Sequence, residues 1–335
     1  MVNTMIQIFN IPQYTVDTSQ LGHLLHGKIV REFEEQFASY VGAKYSCSLS
    51  SATAAIFLTF QGSWASETNI VKIPSIIPYV VPNVLTQCGN VTIDFYDDVN
   101  WVGGAYTLHE FMTEGSAKYI ENYFKVIDSA QEVIRNQFSL QANDEDLMIF
   151  SFYPTKPVGS CDGGMIVSND KEKIDWFRKA SMYGASPNNE SWGRQIEFPG
   201  YKMYMSSIQA YIALQNLNKL DKKKKILGDI REYYNSELGY NNTSHHLYRI
   251  RTYDNQAFIK KMKSVGIQCG VHYHPCHRMD ACQNCTDIHI SKCLPRFLPL
   301  PKSVNEGVTT VSIPFHEALT NEELHYIVKK IKETI

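Results

Sequence analysis

The feature that most constrains the fold of this chain is a pair of apolar runs joined by a crowded turn, between Asp146 and Asp170. The runs, Leu147 to Phe152 and Met165 to Val167, have the length of buried strands. Glycines between them mark tight backbone, so we predict a strand, a turn and a second strand. The turn carries Lys156, and burial there would lower the pKa of its amine, as attack on a carbonyl requires. An ordinary surface lysine fits this stretch equally well.

A second stretch upstream, Lys125 to Gln131, favours the chemical interpretation. It consists of a short apolar run that ends in Asp128 and is followed by two small residues. A carboxylate at the C-terminal end of a parallel strand lies where α/β sheets bind ligands. Beside a pyridoxal phosphate ring, such a carboxylate keeps the pyridine nitrogen protonated. Asp128 and Lys156 together therefore indicate a Schiff-base lysine and its pyridinium partner.

Several ordered motifs carry a resemblance to a known family. They read FEEQFASYVGAKYSCSLSSATAAI, VIDSAQ, FSFYPTK, DGGMIVSND, GYKMYMSSIQAYIALQNL and HYHPCH. From about Glu32 to the C-terminus the chain resembles the DegT/StrS group of sugar-nucleotide aminotransferases. The resemblance implies an α/β protein of fold type I, with a mixed, mostly parallel sheet flanked by helices. It implies a large cofactor-binding domain over residues 1–220 and a smaller C-terminal α/β domain over 221–335.

The resemblance also implies a set of cofactor-binding residues. Gln131 corresponds to the glutamine that approaches the ring hydroxyl, and Ser151 to a hydroxyl that binds the cofactor phosphate. Ser51 and Thr53 match the Ser-Gly-Thr segment that holds the same phosphate, but Ala52 stands where relatives have glycine.

Two more cofactor contacts and a substrate set follow from the same motifs. Tyr79 is our candidate for the aromatic that stacks on the cofactor ring, and a core tyrosine is an equal alternative. Lys202 replaces a common asparagine that reaches across a dimer to the partner's cofactor phosphate. The residues expected near the substrate are Arg194, His272, Tyr273 and His277.

One region departs from the family pattern. Between Asp98 and Asp128 relatives usually have a longer stretch, and WVGGAYTLHEF reads as its reduced remnant. The shortening could remove a layer from one edge of the sheet or reshape a substrate wall.

Local patterns give several further elements. We predict helices over Val30–Val41, over Ser206–Lys219 and, beyond a run of four lysines, from Leu227 to Leu238. HYHPCH is read as the end of a strand. A final helix is expected to be capped by Thr320 with Glu323 at its third position.

Composition excludes some classes of function. The chain has 335 residues, of which 44% are hydrophobic, and its formal net charge is -2, so a large core is expected and nucleic acid is not an expected partner. No apolar run approaches the roughly 20 residues that span a bilayer, and no secretory signal is evident at the start. We expect a cytoplasmic protein without a membrane partner.

The eight cysteines raise a metal alternative. Cys282 and Cys285 form one CxxC pair, and the zinc ligands available nearby are Cys276, His277, His289 and Cys293. Only one such pair is present and the other spacings are irregular, so reduced thiols without a metal are the preferred interpretation.

The resemblance predicts a homodimeric aminotransferase in which Lys156 is catalytic and pyridoxal 5'-phosphate alternates with pyridoxamine phosphate. The expected substrate is a UDP-, dTDP- or GDP-linked 4-keto-6-deoxyhexose, converted to the 4-amino-4,6-dideoxy sugar with L-glutamate as amino donor. Relatives with histidine in place of the lysine perform a dehydration instead. The alternatives are a 3-keto sugar substrate, and a non-catalytic zinc-binding or regulatory protein on the same scaffold. An enzyme for free amino acids is disfavoured because no arginine motif for a second carboxylate is evident.

Overall fold

The computed structural model describes residues 5–11, 13–113, 122–186, 193–279 and 299–335. The strands in these ranges are β1 (Tyr45–Leu49), β2 (Asn69–Pro74), β3 (Val91–Tyr96), β4 (Tyr106–Thr113), β5 (Asn122–Asp128), β6 (Leu147–Ser151), β7 (Gly164–Ser168), β8 (Tyr248–Arg251) and β9 (Thr310–Ile313). The helices are α1 (Lys28–Val41), α2 (Ala52–Thr59), α3 (Val80–Gln87), α4 (Gln137–Gln141), α5 (Lys171–Ala180), α6 (Ser207–Leu238), α7 (Asn255–Ser264), α8 (Pro301–Thr309) and α9 (Asn321–Lys332).

The central sheet is mixed, as predicted, but it is not mostly parallel. Its strand order is β1-β7-β6-β5-β4, and β5 pairs with β6 in parallel while the other neighbours pair antiparallel. Strands β1, β5 and β6 therefore run in one direction, and β4 and β7 run against them. Two smaller sheets, a parallel β2–β3 pair and an antiparallel β8–β9 pair, complete the strand pairing. The C-terminal ends of β1, β5 and β6 consequently lie along one edge of the sheet.

The strand, turn and strand predicted around Lys156 are confirmed as β6 and β7. Every residue of both strands is buried, because helices cover both faces of the sheet. Along β6, Met148 and Phe150 pack into a core with α1 and α6, whereas Ile149 packs into a second core with α2, α3 and α5. This alternation follows from the two-residue period of a strand.

Helix α6 corrects one prediction. The sequence predicts two helices separated by lysines, but a single helix of 32 residues runs from Ser207 to Leu238. The apolar stripe continues past the lysine run, because Leu217, Leu220, Leu227 and Ile230 are all buried. The lysine run, which we predict to be a solvated helix face, therefore lies within one continuous helix.

A third core, formed by the end of α6 with α7, α9, β8 and β9, organises the C-terminal part. The predicted cap of α9 is confirmed, since Thr320 and Glu323 form a reciprocal capping box. HYHPCH forms no strand among the described residues, so that prediction is wrong. Helix α6 spans the expected boundary at residue 220, and the two-domain division stays a proposal.

The shortened region forms the edge strand β4, which pairs with β5 and places Tyr106 opposite Asp128. No helix in the described part of the chain combines the length and the apolar character needed to cross a bilayer.

Candidate active site

Three strand ends bring the predicted cofactor residues to one edge of the sheet. Strand β5 ends at Asp128, β6 ends at Ser151 five residues before Lys156, and β1 ends two residues before Ser51. Because these strands share one direction, the turns that follow them converge. The convergence places a carboxylate, an amine and a helix N-terminus around one crevice.

Asp128 is buried and hydrogen-bonded on both oxygens. Its Oδ1 accepts from the backbone N–H of Ala130 at 2.9 Å, and its Oδ2 accepts from the Tyr106 hydroxyl at 2.8 Å. Burial raises the pKa of Asp128, and these two hydrogen bonds and the charge of Lys156 oppose that rise. The carboxylate is therefore held in place by neighbours that favour its charged form.

Lys156 lies on a turn whose backbone is fixed by local hydrogen bonds. Its N–H donates to the carbonyl of Tyr153 at 2.9 Å, and the N–H of Ser160 donates to the carbonyl of Phe152 at 2.8 Å. Burial lowers the pKa of Lys156 to about 8, against the opposing charge of Asp128. At neutral to mildly basic pH, a useful fraction of this amine is consequently neutral and nucleophilic.

The start of helix α2 forms an anion cradle beside these groups. Ser51 caps the helix, its hydroxyl accepting from the N–H of Ala54 at 3.1 Å. The first N–H groups of a helix have no intrahelical acceptor, so those of Ala52 and Thr53 point towards any bound anion. A Cβ at Gly164 would overlap the backbone of Ser51 and Ala52, so β7 approaches this turn closely. Alanine at position 52 is thus compatible with the observed turn.

Ser151 and Gln131 flank the same crevice. The Ser151 hydroxyl has one long contact, to the N–H of Tyr153 at 3.4 Å, which leaves it capacity for a ligand. Gln131 accepts from the N–H of Gly103 at 2.8 Å and donates to the Tyr273 hydroxyl at 3.0 Å. Gln131 therefore joins the shortened region to the predicted substrate segment.

Aromatic side chains and one arginine, Arg249, lie near His272 and Tyr273. His272 contacts the Ser312 hydroxyl at 2.9 Å, and burial together with the charge of Lys156 lowers its pKa to about 4. Phe9 stacks on His246, with ring centroids 5.8 Å apart, and meets His272 edge-on at 5.6 Å. Burial and the same lysine also lower the pKa of His246. Burial and the neighbouring positive charge therefore favour the neutral form of both imidazoles.

The other predicted residues lie further out. His277 pairs with the Ser75 hydroxyl at 2.5 Å, in the loop after β2. Tyr79 is 70% exposed at the start of α3, and Lys202 is exposed on a bridge to Met182. Arg194 lines a separate cavity, beside the edge strand β1. None of these four residues has a hydrogen bond or ion pair with Lys156 or Asp128 in the described part of the chain.

Three residues near Lys156 and Asp128 were not predicted from the sequence: Tyr106, His246 and Phe9. A strand pairing across 22 residues places Tyr106, and no local pattern marks that contact. Two adjacent histidines precede β8 in the sequence. The position of His246 near Lys156, however, depends on the packing of the C-terminal part.

Only some of the residues considered as zinc ligands lie in the described part of the chain. The thiol of Cys276 is buried and donates to the carbonyl of Ile77 at 3.2 Å. The other expected ligands Cys282, Cys285, His289 and Cys293 lie outside the described residues.

Comparison with known proteins agrees with this geometry. The model of the DegT/DnrJ/EryC1/StrS aminotransferase family matches residues 9–95 and 141–332. The chain belongs to this family. The unmatched residues 96–140 contain β4 and β5. They include the shortened region, which the sequence itself shows as a departure from the family pattern.

Similar proteins include two curated sugar-nucleotide enzymes. A UDP-4-amino-4,6-dideoxy-N-acetyl-beta-L-altrosamine transaminase of Campylobacter jejuni is 24% identical over 91% of this chain and 89% of its own length. A GDP-perosamine synthase of Caulobacter vibrioides is 23% identical over 92% of this chain and 91% of its own. Among solved structures, a putative sugar aminotransferase of Streptococcus pneumoniae in its PMP form superposes with a TM-score of 0.78 and 20% identity, covering 97% of this chain and 96% of its own. That superposition confirms the predicted fold.

Proposed function

We propose that the chain is a pyridoxal-phosphate-dependent aminotransferase that transfers an amine from L-glutamate to a nucleotide-linked keto sugar. The observation that carries the proposal is the placement of Lys156, with its lowered pKa, within the field of the buried carboxylate of Asp128. Membership of an aminotransferase family supports the reaction type. We also propose that the working form is a homodimer.

The described residues fit the cofactor. Asp128 offers an ionisable carboxylate for a pyridinium nitrogen, and the N-terminus of α2 with Ser51 offers donors for a phosphate dianion. Ser151 has a hydroxyl with free hydrogen-bonding capacity beside that helix. Gln131 donates a hydrogen bond to the Tyr273 hydroxyl and so connects these groups to the aromatic side chains. When bound, pyridoxal phosphate supplies an aldehyde for amine capture and an electron-poor ring that stabilises negative charge on the neighbouring carbon.

Lys156 has two roles in the proposed reaction. As a neutral amine it would hold the cofactor through the cofactor's aldehyde, and when released it would take the proton from the donor's Cα at Nζ. An amine with a pKa of about 8 is suited to both roles, because it is a usable base at neutral pH and still returns the proton readily. The carboxylate of Asp128 would pair with the ring nitrogen of the cofactor, and Tyr106 holds that carboxylate in orientation.

The aromatic wall supports a sugar as the amine acceptor. Phe9 offers an apolar face, and the neutral imidazoles of His246 and His272 offer hydrogen bonds without charge. A second carboxylate on the substrate would call for an arginine free to pair with it, whereas Arg249, which lies near His272, is already paired with Glu306 at 2.7 Å. Within the sugar class, we propose a 4-keto-6-deoxyhexose as acceptor, because two similar proteins carry names that denote 4-amino-4,6-dideoxy sugars. A 3-keto sugar is the second candidate.

The test is amine transfer from ¹⁵N-labelled L-glutamate to a panel of UDP-, dTDP- and GDP-linked 4-keto and 3-keto sugars, with product position read by NMR. We expect a 4-amino product with the wild type, none with Lys156→Ala, and full activity with the exposed-lysine control Lys72→Ala. Labelled product only from free keto acids would contradict the sugar assignment. A 3-amino product would overturn the position but not the reaction type.

A further inference from the structure

The turn that carries Lys156 is packed tightly on one side and borders a cavity on another. We call residues 153–160 the lysine turn. Val158 of this turn is fully buried in the core that it shares with α1 and α6. The neighbouring cavity has a volume of about 640 Å³, and its lining includes Pro154, Pro157, Gly159 and part of α6. Because packing is incomplete beside the cavity, polar contacts contribute to the position of the lysine turn.

Helix α6 forms hydrogen bonds with the lysine turn. The Ser160 hydroxyl donates to the carbonyl of Gln209 at 2.8 Å. The side-chain amide of Asn216 donates to the carbonyl of Gly159, and it also donates to the Tyr14 hydroxyl at 2.7 Å. An amide nitrogen carries two hydrogens, so both contacts form at once. Asn216 therefore joins the lysine turn to α6 and to the N-terminal segment.

Lys223 contacts the lysine turn further along the same helix. Its Nζ donates to the carbonyl of Pro157 at 3.4 Å. Gln209, Asn216 and Lys223 are spaced seven residues apart, which is about two helical turns, so they share one face of α6. Pro157 and Gly159 are buried, and a buried carbonyl that loses its donor costs free energy. Loss of either donor therefore favours movement of the lysine turn towards solvent.

Lys223 differs from the exposed members of the lysine run. Its side chain is 27% exposed and lies 3.7 Å from the carboxylate of Glu317. Burial and the charges of Lys156 and other neighbours, Lys223 among them, lower the pKa of His246. Lys225, by contrast, is exposed to solvent. Lys223 thus lies where the lysine turn meets the C-terminal part of the chain.

Helix α6 is itself held firmly, because it belongs to two cores. Leu217 and Leu220 pack in the core beneath β6, and Leu227 and Ile230 pack in the C-terminal core. A side chain on a helix that is packed at both ends holds its partner more precisely than one on a loop. The α6 face that carries Asn216 is therefore a rigid support for the lysine turn.

The surroundings of the Lys156 amine depend on where the lysine turn lies. Burial lowers the pKa of Lys156, and the charge of Asp128 opposes that effect. His246 and His272 also face this amine, since burial and then the charge of Lys156 lower the pKa of each imidazole. A lysine turn that moved away from α6 would expose the amine to water and weaken the effect of burial. The pKa of Lys156 consequently reports the position of the turn.

We propose that Asn216 and Lys223 are positioning residues, which hold the lysine turn against α6 and thereby keep the Lys156 amine in its buried place. This inference rests on the proposed function, because it assigns residues that support Lys156 in that reaction. The contacts themselves require neither cofactor nor substrate. They can therefore be tested on the apoprotein.

The test is the rate at which acetic anhydride acetylates Lys156 in the full-length apoprotein, followed against pH by mass spectrometry of the peptide. In the wild type we expect a midpoint at about pH 8. In Asn216→Leu and in Lys223→Met we expect the midpoint to rise by about one unit. The neutral fraction at pH 8, and with it the rate, would then fall about fivefold.

Matched variants separate a positioning role from a general loss of stability. Asn218→Leu and Lys225→Met make the same chemical changes at exposed positions of α6 and should leave the midpoint unchanged. Asn216→Gln and Lys223→Arg keep an N–H donor and should retain a midpoint near that of the wild type. If Asn216→Leu does not fold, Lys223→Met decides the matter, because its side chain is partly exposed.

The melting temperature of each variant is measured alongside. A lower melting temperature with an unchanged midpoint would show a purely structural contact and overturn the proposal. Unchanged midpoints in both variants of an enzyme that transfers amines would refute the positioning role alone. Shifted midpoints in a protein that transfers no amine would refute the proposed function alone.

Discussion

Replacement of Tyr106 by phenylalanine tests how the chain controls its buried carboxylate. The Tyr106 hydroxyl donates to Asp128 at 2.8 Å from the neighbouring strand, and both groups are buried. The mutation leaves the ring and its packing against Trp101 in place and removes only the donor. Its effect therefore isolates one hydrogen bond to a charged acceptor.

The magnitude follows from the strength of such a bond. A hydrogen bond to a charged group contributes about 1.5–3 kcal/mol, and one pKa unit corresponds to about 1.4 kcal/mol. Because the hydroxyl favours the ionised form, its loss should raise the pKa of Asp128 by about 1–2 units. The pKa of Asp128 is already raised by burial, so the acid limb of the kcat/KM profile should move to higher pH by the same amount.

The assay is the pH dependence of kcat/KM together with urea denaturation at pH 7.5. We expect the shifted acid limb and a loss of about 1.5–3 kcal/mol in the free energy of unfolding. Tyr253→Phe is the matched control, because that side chain is 97% exposed and should change neither quantity. An unchanged acid limb alongside a lower free energy of unfolding would refute the role of Tyr106 and leave it a purely structural contact.

Three further predictions concern the same crevice. The rate at which the apoprotein captures pyridoxal phosphate should rise with pH and level off above about 8, because the pKa of Lys156 is lowered from 10.5; a rise that continues to pH 10 in stopped-flow absorbance would contradict this. Gly164→Ala should lower the melting temperature and the affinity for pyridoxal phosphate, because the added Cβ overlaps the β1–α2 turn. Gly228→Ala is the control: position 228 of α6 has open space, so this change should stabilise the chain by about 0.5–1 kcal/mol. Gln131→Met should reduce the free energy of unfolding in urea by about 1–3 kcal/mol, since it leaves the N–H of Gly103 without its acceptor; an unchanged midpoint would show that the amide is dispensable.

Local sequence signals predicted the elements that carry Asp128, Lys156 and Ser51. The β6–turn–β7 unit, the end of β5 at Asp128 and the Ser51 cap of α2 depend on neighbouring residues, so period and turn chemistry are sufficient to find them. The fold followed from the same motifs, taken in order. The break predicted between Lys219 and Leu227 is wrong, because the apolar stripe on the other face of α6 continues past the four lysines.

Contacts between distant segments were beyond the reach of the sequence. Tyr106 reaches Asp128 through strand pairing, and Phe9 reaches His246 across 237 positions of the chain. The predicted substrate arginine, Arg194, lines a cavity to which His272 does not contribute, because tertiary packing, and not order along the chain, determines which loops meet. The assignments of Tyr79 and Lys202 stay predictions, since both side chains are exposed in the single chain.

The most direct test of the account is to locate the covalently bound cofactor. The wild-type chain is incubated with pyridoxal phosphate, reduced with borohydride, digested and analysed by mass spectrometry. The account predicts one phosphopyridoxyl group per chain, on the peptide that contains Lys156, and none in Lys156→Ala. A stable modification of another lysine in the wild type, or no modification at all, would contradict the assignment of Lys156 and with it the proposed reaction.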